Sequence, residues 1–433
     1  MPRKPEGSIS VSGRLSIRQA LLEWRHPLLR YLNRRDGAYA WSRAGEVEIP
    51  SMGNAVRLHL LSQVWQGVPW KHELALYPPA GPQDASIALL LVTGNRGDLP
   101  TLALMARAAR LLQIPAAVLF DVPNQPLFGG KSEDALIAHT FLECLRSGDR
   151  SWPLLYPMVK GVVRAMDAIQ EFAAREWRTE IAGFVVTGAS KRGWTTWLTG
   201  ACDRRVVGIA PLVYDNLNVT AQMAHQMAVY GSYSEEVADY SAVGLPQKLV
   251  TPEGRKLANM VDPFHLRDRL EIPKLMIHGS NDRYWTLESA NLYFDELPGD
   301  KHILYVPNSG HRLAEMPKVL SALGAFVDAC AAGRTLARLE WSCHEVPEGL
   351  RLTLTSEHHP ERVTIWTAAA ETRDFRDAFW RPRRITGRGE RYEYLLPRPN
   401  RGYAALFGEV VLRWTRGTYA QSTTPHVVAA IAS

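Results

Sequence analysis

The sequence lacks any long uninterrupted hydrophobic run. Of its 433 residues, 46% are hydrophobic and 22% are charged, as in ordinary soluble globular proteins. The longest apolar stretches, such as IALLLVTG, are only long enough for a strand. A membrane-spanning helix needs about 20 apolar residues, so no transmembrane segment is expected. The start, MPRKPEGSIS, is basic but has no apolar segment after it, so no intact signal peptide is visible and both export and a cytoplasmic location stay open.

Cysteine is also scarce. The four cysteines, Cys144, Cys202, Cys330 and Cys343, lie far apart and form no CxxC pair. Structural metal sites usually bring cysteine or histidine ligands together at short spacings. We therefore expect neither a metal nor a cofactor, and the redox compartment stays open.

The excess of positive charge is small, with a formal net charge of +6. It is uneven, because the stretch 373–401 holds nine arginines and four acidic residues. Such a stretch can bind nucleic acid or a membrane surface. The interspersed Trp, Tyr and acidic residues favour instead a solvated face of a β domain. No nucleic-acid partner is predicted, and the sequence leaves the oligomeric state open.

Strand and helix patterns alternate from about residue 57. Two antiparallel strand patterns precede strands that alternate with helices, which predicts a mostly parallel α/β sheet of eight strands with helices on both faces. The helix patterns include TLESANLYFDEL, with Thr286 as a plausible N-cap. The eight strand segments are RLHLLSQVW, HELALYPP, IALLLVTG, AAVLFDVP, GFVVTG, VVGIAPLVY, KLMIHG and HILYVP.

A chain of this length predicts one large domain with an appendage, or two domains. Residues 1–50 are expected to form a helical or irregular segment that packs on the core, and residues 51–334 an α/β catalytic domain. Within it, residues 215–268 interrupt the alternation, as a cap-like insertion that shapes a pocket would. After about residue 335, period-two patterns such as GLRLTLTS predict an all-β, sandwich-like domain over 335–433.

A serine follows a strand pattern in GFVVTGASKRG, residues 183–193. The motif is one residue longer than the G-x-S-x-G nucleophile elbow, since Gly193 lies three positions after Ser190. Gly188 still permits a tight turn, and the helix that follows points its N-terminal N–H groups towards the serine, as an oxyanion requires. A serine that only caps the helix is the alternative interpretation.

Two further residues fit a catalytic triad. Asp282 follows the strand KLMIHG and His311 follows HILYVP, so the chain order is serine, acid, histidine, as in α/β-hydrolases. Alone, Asp282 could form a turn and His311 could lie in a surface loop. Together they predict that Ser190 attacks, His311 accepts its proton and Asp282 orients the imidazole.

Other site residues are assigned on weaker grounds. The backbone N–H of Lys191 and one from Asn95 or Arg96, in the loop TGNRGDLP, are predicted to form the oxyanion hole. The Lys191 and Arg192 side chains could bind an anionic group of the substrate or could be solvated charges. In the insertion, the candidates for lining a pocket are His225, Tyr230 and Tyr233.

Longer motifs follow one another over residues 31–381. They are SQVWQGVPWKHEL, DVPNQPLF, EDALIAHT, WPLLYPMVKGVVRAMDAIQ, VTGASKRGWTTW, PLVYDNLN, IHGSNDRYW, LPGDKHILYVPNSGH and DFRDAFW. In collinear order, these stretches resemble the PhoPQ-activated pathogenicity-related protein family, a branch of the α/β-hydrolase superfamily. The resemblance implies an α/β-hydrolase fold with a β-rich C-terminal domain, often in exported bacterial proteins, and the family's Ser–Asp–His pattern falls on Ser190, Asp282 and His311.

The leading functional hypothesis is a serine hydrolase that cleaves a small-molecule or polymeric carboxylic ester through an acyl-enzyme. An amidase or peptidase would use the same triad. The basic residue directly after the serine resembles the one in the serine elbow of glucuronoyl esterases. An ester of an acidic sugar is therefore a minority alternative. A non-catalytic member that binds a partner or glycan is the remaining alternative.

Overall fold

The computed structural model describes residues 26–79, 86–387 and 389–431. The first 25 residues of the predicted N-terminal segment lie outside this range. The helices are α1 Pro27–Leu32, α2 Leu99–Leu112, α3 Glu133–Ser147, α4 Leu155–Phe172, α5 Lys191–Cys202, α6 Val219–Tyr230, α7 Ala238–Ser241, α8 Leu245–Leu249, α9 Pro252–Val261 and α10 Met316–Ala331. The strands of the large sheet are β1 Ala40–Ile49, β2 Gly53–Trp65, β3 Val68–Tyr77, β4 Ile87–Val92, β5 Ala116–Leu119, β6 Gly183–Ala189, β7 Val206–Leu212, β8 Lys274–Gly279 and β9 Lys301–Val306.

The central sheet has the order β1-β2-β3-β5-β4-β6-β7-β8-β9. Its first three strands are antiparallel, and the strands from β5 to β9 are parallel. Strand β8 is buried along its whole length, which explains its continuous apolar run. Because β6 ends at Ala189 and β8 and β9 end shortly before Asp282 and His311, all three predicted triad residues follow parallel strands at one edge of the sheet.

Within the described residues, the central sheet has nine strands rather than the predicted eight. The additional strand is β1, which lies in the segment predicted to be helical or irregular and pairs with β2 along Ala40–Ile49. Nearly all of its residues are exposed or half-buried. A strand at the edge of a sheet needs little apolar sequence, so its polar composition hid it.

Helices cover both faces of the sheet, as predicted. Alternate side chains of the strands enter two separate apolar cores, since Leu90 packs in one and Leu89 in the other. Helices α4 and α5 close the first core, and α2 and α10 close the second. The predicted α/β-hydrolase fold is confirmed.

The predicted helix TLESANLYFDEL is wrong. The segment forms two short 3₁₀ turns, Ser289–Leu292 and Phe294–Glu296. Tyr293 between them has φ −151° and donates its buried hydroxyl to Asp215 at 2.6 Å. The tertiary hydrogen bond and burial of this ring override the local helical pattern.

The C-terminal region is built from antiparallel sheets, as predicted. One has the order β10-β11-β14 and the other β13-β12-β15-β16, with β17 paired to β15. This region contacts the edge of the central sheet, where the Tyr305 N–H donates to Ser422 Oγ at 2.8 Å. The strands are β10 Leu339–Val346, β11 Gly349–Ser356, β12 Arg362–Ala370, β13 Arg381–Ile385, β14 Arg391–Pro397, β15 Tyr403–Trp414, β16 Gly417–Ser422 and β17 His426–Ala429.

Within the described residues, every helix is too short or too polar to cross a membrane.

Candidate active site

Ser190 occupies a strained turn between β6 and α5. Its backbone has φ +56° and ψ −122°, a combination that costs a non-glycine residue free energy and is found mainly at functional sites. Its N–H donates to Leu212 O at 2.8 Å. A Cβ at Gly188 would lie 2.8 Å from the Arg192 carbonyl oxygen, and one at Gly193 would lie 3.0 Å from Leu212 O. Both glycines are therefore needed for the close approach of the backbone in this turn.

Asp282 and His311 form a hydrogen-bonded pair. His311 Nδ1 lies 2.8 Å from Asp282 Oδ2, and the other carboxylate oxygen accepts from the Tyr284 N–H at 3.0 Å. Asp282 is buried. Among the described residues, the buried Nε2 of His311 has no hydrogen-bond partner. With Nδ1 donating to the carboxylate, Nε2 is the nitrogen left to accept a proton.

A cavity of about 80 Å³ borders Ser190. Tyr284 connects it to the acid–histidine pair, because Tyr284 lines the cavity and its ring centroid lies 4.3 Å from that of His311. The walls are mainly aromatic and aliphatic. They are formed by Asp134, Phe141, Ser190, Lys191, Trp194, Tyr214, Asn216, Val219, Met223, Val237, Tyr240, Leu245, Pro246, Leu249, Tyr284 and Trp285.

The two basic side chains after the serine are neutralised by carboxylates. Lys191 Nζ lies 2.8 Å from Asp134 and 3.3 Å from Glu133. Arg192 is buried and donates twice to Glu133, at 2.7 and 2.8 Å, and once to Val122 O. Burial opposes ionisation of Glu133, but the hydrogen bonds and charge of Arg192 outweigh it and lower the pKa of this carboxyl to about 2. The guanidinium of Arg192 is thus hydrogen-bonded to protein groups, and a substrate-binding role for it stays a prediction.

The loop predicted to supply an oxyanion donor packs against the Arg192 guanidinium at Gly94. A Cβ at Gly94 would lie 1.7 Å from Arg192 Nη2, so any side chain there would displace the guanidinium. The next residue, Asn95, accepts from the Asp121 N–H at 3.2 Å, and the Arg96 side chain is 88% exposed. The described residues that line the cavity beside Ser190 include neither Asn95 nor Arg96. The roles of their backbone N–H groups stay a prediction.

The aromatic residues predicted for the pocket lie elsewhere. Tyr230 donates its hydroxyl to Trp285 O at 3.0 Å and borders a separate small cavity beside Asp282. His225 and Tyr233 are half-buried, and the described wall of the Ser190 cavity includes neither. Helix α6 instead presents Val219 and Met223, one turn apart, to that cavity, which leaves His225 on another face of the helix.

A loop of the C-terminal region, residues 372–380, binds the chain just after strands β8 and β9. Asn281, directly before the acid, donates its side-chain amide to three backbone carbonyls of this loop at 2.7–3.2 Å. Asn308, three residues before the histidine, accepts from the Trp380 N–H at 2.7 Å and donates to its carbonyl at 3.0 Å. Sequence reasoning did not identify these asparagines as functional. The motif DFRDAFW was the available signal.

In the part of the chain that the structure describes, no group of three or more His, Cys, Asp or Glu side chains is placed to hold a metal ion.

Comparison with known proteins identifies the family. The PhoPQ-activated pathogenicity-related protein family matches residues 28–376, which is more than half of the chain. The chain belongs to this family. It is also 29% identical over 423 residues to Autocrine proliferation repressor protein A of Dictyostelium discoideum, covering 88% of this chain and 85% of that protein.

A solved structure shares the fold. Acetyl xylan esterase 1 from Thermoanaerobacterium sp. JW/SL YS485 is 14% identical with a TM-score of 0.51, covering 70% of this chain and 92% of that one. At this identity the likeness establishes the α/β-hydrolase fold alone. An acetyl xylan esterase from Paenibacillus sp. R4 is also similar, at 14% identity, a TM-score of 0.49 and the same coverage.

Proposed function

We propose that the protein is a serine hydrolase that cleaves carboxylic esters through an acyl-enzyme. The observation that best supports this proposal is the hydrogen bond between Asp282 and His311, whose buried Nε2 has no partner among the described residues. The strained turn at Ser190 lies at the same edge of the sheet. A histidine of this kind is suited to accept the proton of a nearby hydroxyl.

The reaction would proceed in two stages. Ser190 Oγ attacks the ester carbonyl while His311 Nε2 takes its proton, and Asp282 stabilises the imidazolium. The oxyanion is held by the N–H of Lys191, at the start of α5, and by an N–H of the loop supported by Arg192. His311 then protonates the leaving alcohol, and water attacks the acyl-enzyme by the reverse sequence of proton transfers, which releases the acid and restores Ser190.

The charges near the serine favour an uncharged substrate. Lys191 and Arg192 are already paired with Glu133 and Asp134, and the cavity beside Ser190 is mainly apolar. A uronate carboxylate in this cavity would lose its hydration without gaining a free cation. This argues against the acidic-sugar ester. An amide or peptide substrate remains the second candidate, because the triad chemistry is shared and the leaving group alone differs.

Labelling with a fluorophosphonate probe tests the nucleophile. We expect the wild-type protein and Ser232→Ala, a control at an exposed serine, to be labelled, and Ser190→Ala to remain unlabelled. Mass spectrometry of the labelled peptide should place the adduct on Ser190. Absence of wild-type labelling, or labelling of Ser190→Ala equal to that of the wild type, would exclude this mechanism.

Comparing p-nitrophenyl esters with aminoacyl anilides then separates the two substrate classes. We expect kcat/KM to be higher for the esters, and turnover of anilides at equal or greater efficiency would favour a peptidase.

A further inference from the structure

We infer that the cavity beside Ser190 is an acyl pocket for a short, uncharged aliphatic acyl group, and that Met223 sets the chain length it accepts. The inference rests on the proposed function, because it needs Ser190 to form an ester with that acyl group. It adds the chemical class of the acid and a residue that determines specificity.

The size of the cavity limits the acyl chain. Its volume is about 80 Å³, whereas a cavity that takes up benzene measures about 150 Å³. A chain of roughly two to four carbons fits the smaller volume, and a benzoyl group or a long chain does not. Large buried side chains form part of the wall, namely Phe141, Trp194 and Leu245. They pack in the main apolar core, so they cannot move aside without loss of packing.

The wall chemistry calls for an uncharged group. Lys191 and Asp134 are the charged residues among the described wall residues, and they pair with each other at 2.8 Å. Asp134 also accepts from Tyr240 at 2.6 Å and Tyr284 at 3.4 Å. These polar atoms satisfy one another, so the cavity offers its ligand mainly apolar contact, and an aliphatic acyl chain gains about 0.8 kcal/mol for each methylene buried there.

Met223 is the wall residue best suited to limit chain length. It comes from the insertion rather than from the sheet, and it is half-buried, as are the branched residues Val219 and Leu249 of the same wall. Its side chain is unbranched and flexible, so it closes a variable part of the wall. Truncation of Met223 should lengthen the cavity without disturbing the hydrogen bonds around Asp134.

The experiment compares acyl length with a constant leaving group. The probes are p-nitrophenyl acetate, butyrate and octanoate, assayed with the wild-type protein, Met223→Ala and Met227→Ala. Met227 lies one turn further along α6 and is 43% exposed, so it is a matched control. We expect wild-type kcat/KM to be highest for acetate or butyrate. Met223→Ala should raise the octanoate-to-butyrate ratio of kcat/KM about 10-fold, a typical effect of pocket size, and Met227→Ala should leave it within about 2-fold.

A second variant changes the cavity in the opposite direction. Met223→Trp should lower the butyrate-to-acetate ratio, which gives a result even where Met223→Ala fails to fold, as judged by its melting temperature. The inference would be overturned if the wild-type protein preferred octanoate, or if neither Met223 variant changed the ratios of kcat/KM between esters. Labelling of Ser190 in the same preparations would still support the hydrolase. If the wild-type protein showed neither ester turnover nor labelling of Ser190, the proposed function itself would be refuted.

Discussion

At the scale of the residue, the basic pair after Ser190 joins the start of α5 to neighbouring parts of the chain through ion pairs and hydrogen bonds. Arg192 donates hydrogen bonds to the Glu133 carboxylate and to the carbonyl of Val122, and its guanidinium packs against Gly94. It thereby joins the nucleophile helix to the loop predicted to supply an oxyanion donor. Positioning residues of this kind act on the geometry of the transition state rather than on substrate affinity.

Replacement of Arg192 tests this positioning role. Arg192→Met leaves Val122 O without its donor and the glutamate without its main cation, so we expect a loss of about 2 kcal/mol in the free energy of unfolding. We also expect kcat to fall at least 10-fold, with KM within about 2-fold. Denaturant titration and ester kinetics measure both. Arg192→Lys, which keeps the charge but not the fork of donors, should restore only part of kcat. A rise in KM at constant kcat would instead indicate substrate binding.

At the scale of the element, the loop 372–380 makes the C-terminal region part of the site. It holds the chain on either side of the acid–histidine pair through Asn281 and Asn308. It also reaches the insertion, where Arg376 lies 4.2 Å from the Tyr230 ring centroid and pairs with Glu235 at 2.6 Å. One loop therefore connects the β region, the insertion and both triad loops.

Asn281→Ala tests whether the contact with the loop positions Asp282 or only stabilises the folded protein. The substitution removes the side-chain donor that three loop carbonyls share, which allows Asp282 to shift. We therefore expect the rate of fluorophosphonate labelling at Ser190 to fall at least 10-fold. Asn291→Ala is the control, because Asn291 also donates to a carbonyl of the C-terminal region, at Pro425, 2.8 Å away. Equal labelling rates for the two variants, at similar melting temperatures, would contradict a positioning role for Asn281.

At the scale of the whole molecule, buried histidines make stability depend on pH. Burial lowers the pKa of His26, His72 and His426 from 6.5 to about 4, and lowers those of His278 and His302 as well. His26, His72 and His426 are therefore neutral in the folded protein near pH 5, whereas histidines of the unfolded chain bind protons below about pH 6.5. The folded state therefore loses stability as pH falls from 6.5 towards 4.

The free energy of unfolding measured by denaturant should fall between pH 7 and pH 5. His72, which is fully buried, should account for about 2 kcal/mol of that loss. His72→Gln should flatten the pH dependence, and the exposed His358→Gln should not. A pH profile that is the same in all three proteins would show that His72 does not titrate in this way.

The predicted positions of the strands and of three site residues rested on local patterns. Buried parallel strands read as continuous apolar runs, and residues that follow them meet at one edge of the sheet. This is why the sequence placed Ser190, Asp282 and His311 at strand ends, where the structure has them. The polar edge strand β1 and the pocket wall in the insertion had no such pattern. The strand was therefore missed, and Val219 and Met223 were not predicted to line the cavity beside Ser190.

The sequence alone determined the order of strands and helices, because hydrophobic periodicity and glycine positions act over a few neighbouring residues. Only the tertiary structure decided the roles of the charged and polar residues. Lys191 and Arg192 meet Asp134 and Glu133 from about 60 positions earlier in the chain, and Asn281 meets a loop almost 100 positions later. Charge pairing and desolvation depend on distances in space, so the same two basic residues that suggested an anionic substrate are already neutralised in the folded protein.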